Sequence, residues 1–372
     1  MHHAAPEPFK TPEGFSARSN AEGLTRERLV RTVFSFGNVR TQSYGCLALK
    51  SDGAVAVYDH ANERRYDFDG ERLTFLSAEG RRGVEVSVFC SGDDFVLFAR
   101  DGHYLTPVVE LAAEAERSGA PKIIVNTVPK SGTYFCGRIC EWMGFRPVRL
   151  HLSAQAFIDN RGLRAREIHR DTQSRGVSCP ASAVAAVMAD GEYAVAHIEA
   201  PDQIACCRAQ GASIIHCVRD LRDALVSLWR FKIDTVGATS PTDEVWRAVQ
   251  GPDQFLAFLS FYAERDVRHL IDCAHAICIQ PDPKLRFEDL SAGLLTDRAA
   301  RDLDALVPGL APRFAEGLAD SVGKPTSTLS ERHADHHEIW SSAAQRFYEI
   351  SGLREANRAL GYDLGAEAQR AA

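Results

Sequence analysis

The residues best suited to chemistry lie in a short loop, residues 127–133, which reads Thr-Val-Pro-Lys-Ser-Gly-Thr. The loop follows an apolar run typical of a buried strand and precedes a segment whose apolar residues have helical spacing. At such a junction, free backbone N–H groups and the positive end of the helix dipole favour an anion, and Gly132 lets the backbone approach it closely. Ser131 and Thr133 would add hydroxyl donors, and Lys130 a positive charge. The loop therefore predicts a site for a phosphate-like group, with a capped turn and a solvated lysine as the alternative.

A second candidate anion site lies at residues 219–227, again where an apolar strand-like run meets a helical pattern. Arg219 can bind a phosphate through parallel N–H donors, and Ser227 would add a hydroxyl from the following helix. Taken alone, Arg219 and Asp220 are more typical of a helix cap with an ion pair. The two segments follow in order and each lies at a strand-to-helix junction, which favours a role in anion binding.

His197 is the candidate general base. It lies near the end of an apolar strand-like run, residues 193–198. An imidazole titrates close to neutrality and can remove the proton of an acceptor hydroxyl without much tuning. A structural histidine is the alternative, and three further residues are reserve candidates for the base: Glu199, His169 and His151.

The elements that must position these residues are of two kinds. After a flexible leader at residues 1–28, residues 29–112 form short alternating segments separated by Asp-Gly and Glu-Gly pairs, which predicts an antiparallel β module. Residues 113–372 alternate strand-like and helical patterns, which predicts a parallel β-sheet flanked by helices. Apolar runs at 276–280 and 285–287 predict further strands. The predicted fold class is α/β, with a small all-β domain before the sheet.

Composition excludes several classes of protein. The chain has 372 residues, of which 45% are hydrophobic and 25% charged, as in an ordinary globular protein. The formal net charge of −7 gives no indication of nucleic acid or of an anionic membrane as a partner. Neither a signal peptide nor an apolar run of about 18 residues is evident, so no transmembrane segment is predicted. The cysteines lack zinc-site spacing and are interpreted as reduced thiols, so we expect a cytoplasmic protein.

The loop resembles the 5′-phosphosulfate loop of sulfotransferases. It keeps five residues of that family's pattern: Pro129, Lys130, Ser131, Gly132 and Thr133. Tyr134 and Phe135 stand where the family usually has Thr and Trp. The GxxxxGK[ST] pattern of nucleoside-triphosphate loops is absent, because here the lysine precedes the glycine. The resemblance implies that residues 129–134 bind the phosphosulfate of the donor.

Two other segments extend the resemblance. Arg219 and Ser227 have the spacing of the family's 3′-phosphate motif, and His197 precedes Arg219 at the distance of the family's catalytic histidine. Val195 departs from the pattern, because many relatives have a lysine two residues before that histidine. The resemblance implies a P-loop-type sulfotransferase domain at residues 113–372. In it, His197 and Lys130 would be catalytic, and Arg219 and Ser227 would bind the nucleotide.

Weaker matches lie further along the chain. Residues 285–290 look like a chiefly structural RYEDL segment of the family. Lys324 and Arg332 stand where relatives have a loop over the 3′-phosphate, and are predicted as further ligands of the nucleotide. A cluster of three histidines could share a helix face, but its acidic neighbours favour a solvated helix start, so no metal site is predicted: His333, His336 and His337.

The β module is similar to a small β domain that accompanies some bacterial carbohydrate-acting transferases. His60, Asn62 and Glu63 could bind a sugar, and a polar hairpin turn explains them equally well. The similarity favours a saccharide or a glycolipid as the acceptor.

The resemblance implies transfer of a sulfuryl group from 3′-phosphoadenosine-5′-phosphosulfate (PAPS) to an acceptor hydroxyl, with no metal ion expected. Residues 152–175 and 233–250 are the predicted acceptor loops. Two alternatives stay open. One is a kinase-like phosphoryl transferase that uses the same loop, and the other is a catalytically inactive glycan-binding protein.

Overall fold

The computed structural model describes residues 16–17, 24–91, 93–112, 120–164, 167–169, 171–236, 238, 240–251, 253–324 and 339–362. The chain divides into two compact units. Unit 1 takes the described residues of Met1–Ser118, Cys179–Asp190 and Ala209–Gly211, and unit 2 those of Gly119–Ser178, Gly191–Arg208 and Ala212–Ala372. Two short segments that the sequence analysis assigns to the C-terminal domain, 179–190 and 209–211, thus group with unit 1.

Within these ranges the strands are β1 (Ser16–Ala17), β2 (Thr32–Asn38), β3 (Ser43–Leu49), β4 (Val55–Ala56), β5 (Arg65–Phe68), β6 (Arg72–Leu76), β7 (Arg82–Ser91), β8 (Asp94–Phe98), β9 (His103–Glu110), β10 (Lys122–Thr127), β11 (Arg146–Leu152), β12 (Ala156–Asp159), β13 (Gly176–Ser178), β14 (Glu192–Ala196), β15 (Ala212–Val218) and β16 (Lys284–Arg286).

The helices of the same ranges are α1 (Arg26–Val30), α2 (Thr133–Trp142), α3 (Ala181–Val187), α4 (Pro201–Ala209), α5 (Leu221–Asp234), α6 (Pro241–Ala248), α7 (Asp253–Phe261), α8 (Arg268–Cys278), α9 (Phe287–Ser291), α10 (Asp297–Leu306), α11 (Leu310–Ser321), α12 (Ser342–Ile350) and α13 (Leu353–Ala359). A π-helical turn, Ala263–Val267, precedes α8. No helix among the described residues is both long and apolar enough to cross a membrane.

Unit 1 is built on an antiparallel sheet in the order β4-β3-β2-β9-β8-β7-β6-β5, with β1 paired to β7. The glycines of the predicted turn pairs have positive φ, for example Gly70 at 102° and Gly102 at 97°, which explains why glycine is needed there. The core of this unit includes Phe34, Phe36 and Phe75. Of the nine strands, β2 to β9 lie within the predicted module at residues 29–112, and β1 precedes it.

Unit 2 contains a seven-stranded sheet in the order β13-β12-β11-β14-β10-β15-β16. The pairs from β11 to β16 are parallel. The pairs β11–β12 and β12–β13 are antiparallel, which corrects the prediction of a purely parallel sheet. For the pair β11–β12 the reason is the short connection between Leu152 and Ala156, since neighbouring strands joined by a tight turn can only run antiparallel.

Helices cover the parallel strands of unit 2 through two apolar clusters. One cluster joins β10 and β14 to α2 and α11 through residues such as Ile123, Ile139 and Phe314. The other joins α5, α7 and α8, and includes Leu225 and Phe258. The predicted strand at 285–287 corresponds to β16, but the strand predicted at 276–280 was wrong, because that apolar run belongs to the end of α8 and the residues after it.

Candidate active site

The loop at 127–133, His197 and Arg219 lie at the carboxyl ends of three neighbouring strands of the sheet in unit 2. Strands β14, β10 and β15 are neighbours and run parallel. β10 leads into the loop at 127–133, β14 leads into His197, and β15 leads into Arg219. The carboxyl ends of parallel strands are the usual place for ligands in such sheets. The parallel order therefore brings together residues that are about seventy to ninety positions apart in sequence.

The loop between β10 and α2 has an unusual backbone. Lys130 has a φ of 68° and Gly132 a φ of 88°, so both lie in the left-handed region. The loop is held in place from β15, because the backbone N–H of Val128 donates to the carbonyl of Cys217 (3.1 Å) and the Cys217 thiol donates to the carbonyl of Ser131 (2.8 Å). Left-handed conformations are costly for residues that have a side chain, and they cluster at functional sites. The φ of Lys130 is one such case and supports its choice as a candidate site residue.

Gly132 is required by a close neighbour as well as by its φ. A Cβ atom at this position would lie 2.5 Å from Cδ2 of Phe287. Arg219 lies against the same ring, because its guanidinium carbon is 4.9 Å from the centre of Phe287. Phe287 therefore lies against both candidate anion-binding segments.

We expect Gly132→Ala to destabilise the protein more than Gly309→Ala does. Both glycines precede a helix with a left-handed φ (88° and 77°), but nothing lies within 4 Å of a Cβ at Gly309. The difference in stability between the two variants therefore measures the clash with Phe287. Overpacking of this kind costs about 1–3 kcal/mol. Scanning calorimetry of the two variants should show a melting temperature lower by about 2–10 °C for Gly132→Ala. Equal melting temperatures would mean that Phe287 moves away without cost.

Arg219 faces the loop. Its Nη1 donates to the carbonyl of Lys130 (3.2 Å), and burial lowers the pKa of the guanidinium. The helix cap considered as an alternative is also present, but Asp220 and Arg222 provide it: Asp220 accepts the backbone N–H of Arg222 (2.9 Å) and forms an ion pair with its guanidinium (2.6 Å). Arg219 is therefore not needed for the cap.

Lys130 is surrounded by apolar and positively charged groups. Its Nζ lies 4.0 Å from the centre of the Phe231 ring. Burial, together with the charges of Arg219 and Lys232, lowers the pKa of Lys130 to about 7. A bound anion would reverse this effect, because it stabilises the ammonium form.

The hydroxyl groups of the loop differ in their contacts. The Oγ of Ser131 is buried and has no hydrogen-bond partner among the described residues. Thr133 Oγ1 lies 2.7 Å from Thr127 Oγ1, so these two hydroxyls bind each other. A buried polar atom without a partner is costly, and a phosphate oxygen would supply the bond that Ser131 lacks. The unpartnered hydroxyl of Ser131 is therefore compatible with a phosphate-like group at the loop.

The hydrogen bonds of His197 fix its tautomer. Nδ1 lies 2.8 Å from the backbone carbonyl of Thr127, and a carbonyl can only accept, so Nδ1 carries the proton. The other ring nitrogen, Nε2, therefore keeps its lone pair. Burial lowers the pKa of His197 well below its ordinary value, with further contributions from His151 and His269. A neutral histidine with an available Nε2 is the form that a general base requires.

Other histidines surround His197. The ring of His151 lies 4.5 Å from that of His197, and the ring of His269 lies 6.3 Å from it. Burial, with the charges of His169 and His269, lowers the pKa of His151 to about 4. Of the reserve candidates, Glu199 accepts a hydrogen bond from the backbone N–H of Ala154 (3.1 Å), so one of its carboxylate oxygens already has a partner. His269 was missed, since nothing near it in the sequence marks α8 as part of the site.

The remaining predicted ligands lie at different places. Pro129 is a half-buried part of the loop. Tyr134 is the second residue of α2, and its hydroxyl is 3.3 Å from His151 Nδ1. Burial raises the pKa of Tyr134 to about 12. Ser227 is half-buried on α5. Lys324 follows α11 and pairs with Asp320 of that helix (2.7 Å), and Arg332 lies outside the described residues.

No metal-binding group of three or more His, Cys, Asp or Glu side chains occurs among the residues that the structure describes. The three clustered histidines of the sequence, His333, His336 and His337, lie outside those residues. In unit 1, Nδ1 of His60 and the side-chain carboxyl of Glu63 are in hydrogen-bond contact with each other.

Comparison with known proteins gives a weak likeness. No family profile matches the chain, and no curated protein sequence matches it. A structure of mouse sulfotransferase SULT7A1 complexed with PAP is 13% identical, with a TM-score of 0.40 over 66% of this chain and 89% of the other. The sulfotransferase domain from the curacin biosynthetic pathway is 12% identical, with a TM-score of 0.27 over 63% and 97% of the two chains.

Proposed function

We propose that the chain transfers a sulfuryl group from PAPS to an acceptor hydroxyl. One observation supports the proposal most: the two other candidate residues contact the loop at 127–133, one at its first residue and one at its centre. Arg219 donates to the carbonyl of Lys130, and His197 donates to the carbonyl of Thr127. These contacts bring the proposed phosphate loop, the proposed second anion ligand and the proposed base close together at the carboxyl ends of neighbouring parallel strands.

The reaction needs little from the protein beyond charge and a proton acceptor. The acceptor oxygen forms a bond to sulfur while the bond between sulfur and the bridging oxygen of the 5′-phosphate breaks. The electron pair of that bond remains on the bridging oxygen, where Lys130 and the loop N–H groups would stabilise it. Nε2 of His197 would take the proton of the acceptor hydroxyl.

The nucleotide would be held by its two phosphates. The loop, with Ser131 and Thr133, would bind the 5′-phosphosulfate together with Pro129 and Tyr134 at its two ends. Arg219 and Ser227 would bind the 3′-phosphate, and Lys324 and Arg332 are proposed to add to its binding. A 3′-phosphate distinguishes this donor from ATP, so Arg219 is the residue that defines the class of donor.

Titration calorimetry with 3′,5′-adenosine bisphosphate and with ATP, each with and without magnesium, tests the class of nucleotide. We expect magnesium-independent binding of the bisphosphate. Comparison with 5′-AMP isolates the 3′-phosphate, and in Arg219→Met the preference for the bisphosphate should fall by about 10- to 100-fold. Affinity for 5′-AMP serves as the internal control and should change little.

Two results of that titration would contradict the proposal. Preference for ATP with magnesium would favour a phosphoryl transferase, and binding of neither nucleotide would favour a non-catalytic protein. An unchanged preference for the bisphosphate over 5′-AMP in Arg219→Met would show that Arg219 does not bind the 3′-phosphate. That result would not bear on the loop at 127–133, which is proposed to bind the 5′-phosphosulfate.

The saccharide or glycolipid acceptor stays a prediction. It depends on His60, Asn62 and Glu63 in unit 1, where His60 and Glu63 bind each other. Unit 2 contains a cavity whose lining favours a different class of acceptor.

A further inference from the structure

A cavity of about 260 Å³ lies beside α2 within unit 2. The helix contributes Tyr134, Gly137 and Arg138 to its lining, and β14 contributes Tyr193 and Val195. Gly137 lets α2 lie close to β14 here, because a Cβ would lie 3.3 Å from the Tyr193 hydroxyl oxygen and 3.6 Å from Cγ1 of Val195. The cavity is thus formed between the first helix of the unit and the strand that leads to His197.

The cavity adjoins the proposed reaction site. Tyr134 lines it, and the hydroxyl of the same residue lies 3.3 Å from Nδ1 of His151, whose ring contacts that of His197. His197 also continues the pairing of β14, since its N–H donates to the carbonyl of Leu152 (2.8 Å). Side chains two residues apart on a strand share a face, so Val195 of the cavity and His197 lie on the same face.

The charges along the cavity favour an anion. Its lining includes two basic residues, Arg138 and Arg149, and one acidic residue, Glu141. The carboxylate of Glu141 accepts a hydrogen bond from the hydroxyl of Tyr193 (3.0 Å). Within the described ranges, no acidic side chain lies at ion-pair distance from Arg149. The rest of the lining is largely apolar and includes Leu150, Leu163 and Ile168.

Arg149 is held in a costly conformation. Its φ is 57°, and the pairing of β11 with β14 shifts register between Pro147 and His151, around this residue. The backbone is fixed there, because the carbonyl of Arg149 accepts the N–H of Asn160 (3.0 Å). β-Bulges redirect side chains and are frequent next to active sites, and left-handed non-glycine residues often serve function.

We infer that this cavity binds the acceptor, and that the acceptor is a small hydroxylated anion. Its apolar body would contact Leu163, Ile168 and Val195, its hydroxyl would reach the Tyr134 end, and its carboxylate or phosphate would bind Arg138 and Arg149. The volume lies just below the range of about 300–1,000 Å³ typical of ligand pockets, so the body is one ring or a short chain. This inference rests on the proposed function.

Two probes of the same shape test the charge requirement. We would measure binding of p-hydroxyphenylacetate and of its neutral amide, p-hydroxyphenylacetamide, to the protein saturated with 3′,5′-adenosine bisphosphate. The carboxylate should bind about tenfold more tightly than the amide or better, because a charge-assisted bond to a guanidinium is lost in the amide.

The variant Arg149→Gly tests most directly whether the Arg149 side chain binds the carboxylate. Glycine adopts a φ of 57° without strain, so this variant should be at least as stable as the parent protein and yet lose the preference for the carboxylate. Arg354→Met, at a half-buried arginine of α13 that pairs with Glu349 of α12, is the matched control and should keep the preference. A melting curve of each variant separates loss of binding from loss of fold.

The outcomes are distinguishable. If the bisphosphate binds but the two probes bind equally, or neither binds, the anionic acceptor is wrong while the proposed function stands. A preference that survives in Arg149→Gly also overturns the inference. Failure of the bisphosphate itself to bind would instead overturn the proposed function.

Discussion

Lys130→Met is expected to reduce kcat for sulfuryl transfer by about 10²- to 10³-fold, with a much smaller change in the affinity for 3′,5′-adenosine bisphosphate. The reason is that the charge on the bridging oxygen develops only as the bond to sulfur breaks. A lysine that meets this charge stabilises the transition state more than the ground state. Initial rates with PAPS and an accepted hydroxyl compound, together with calorimetry of the bisphosphate, measure both quantities.

The same lysine should make nucleotide binding depend on pH. Lys130 has a pKa of about 7 before a ligand binds, so it is mostly neutral at pH 8.5, whereas the bound anion favours the ammonium. Binding above pH 7 therefore requires uptake of a proton, and the affinity should fall by up to about tenfold per pH unit. Lys130→Arg keeps its charge over this range, so it should remove the pH dependence while retaining part of the rate.

A normal rate in Lys130→Met would exclude the lysine from the mechanism. An affinity that stays constant from pH 7 to 9 in the parent protein would show that Lys130 does not contact the nucleotide.

Much of the site could be predicted from sequence because its chemistry is local. The loop at 127–133 is marked by a glycine and a lysine between an apolar strand and a helix, and the structure places it at that junction. Arg219 and His197 were recognisable for the same reason, since each directly follows an apolar strand. Parallel pairing of β14, β10 and β15 then brings these strand ends together.

The elements that could not be predicted depend on tertiary contacts. The apolar run at 276–280 was predicted as a strand, but Ala276 and Ile277 are buried on α8, and a short apolar run does not distinguish a strand from a buried helix face. His269 reaches the site only because α8 packs near it. The bulge that turns Arg149 depends on how β11 pairs with β14, which no local pattern reveals.

His197→Asn is expected to reduce kcat by about 10²- to 10⁴-fold while leaving the affinity for the bisphosphate unchanged. Asparagine can still donate to the Thr127 carbonyl, as Nδ1 of the histidine does, but it offers no nitrogen lone pair to take a proton. The variant therefore keeps the loop in place and removes the base. His275→Asn, at an exposed histidine of α8, is the matched control and should retain full activity.

The pH profile of kcat/KM distinguishes a base from a structural histidine. In the parent protein the rate should rise with pH through the depressed pKa of His197, below the usual histidine range, and fall above pH 7 as Lys130 loses its proton. In His197→Asn the rise on the acid side should disappear, whereas loss of a merely structural histidine would lower the rate at every pH. If His197→Asn turned over normally, His151 would become the candidate base, because its Nε2 is buried without a hydrogen-bond partner among the described residues.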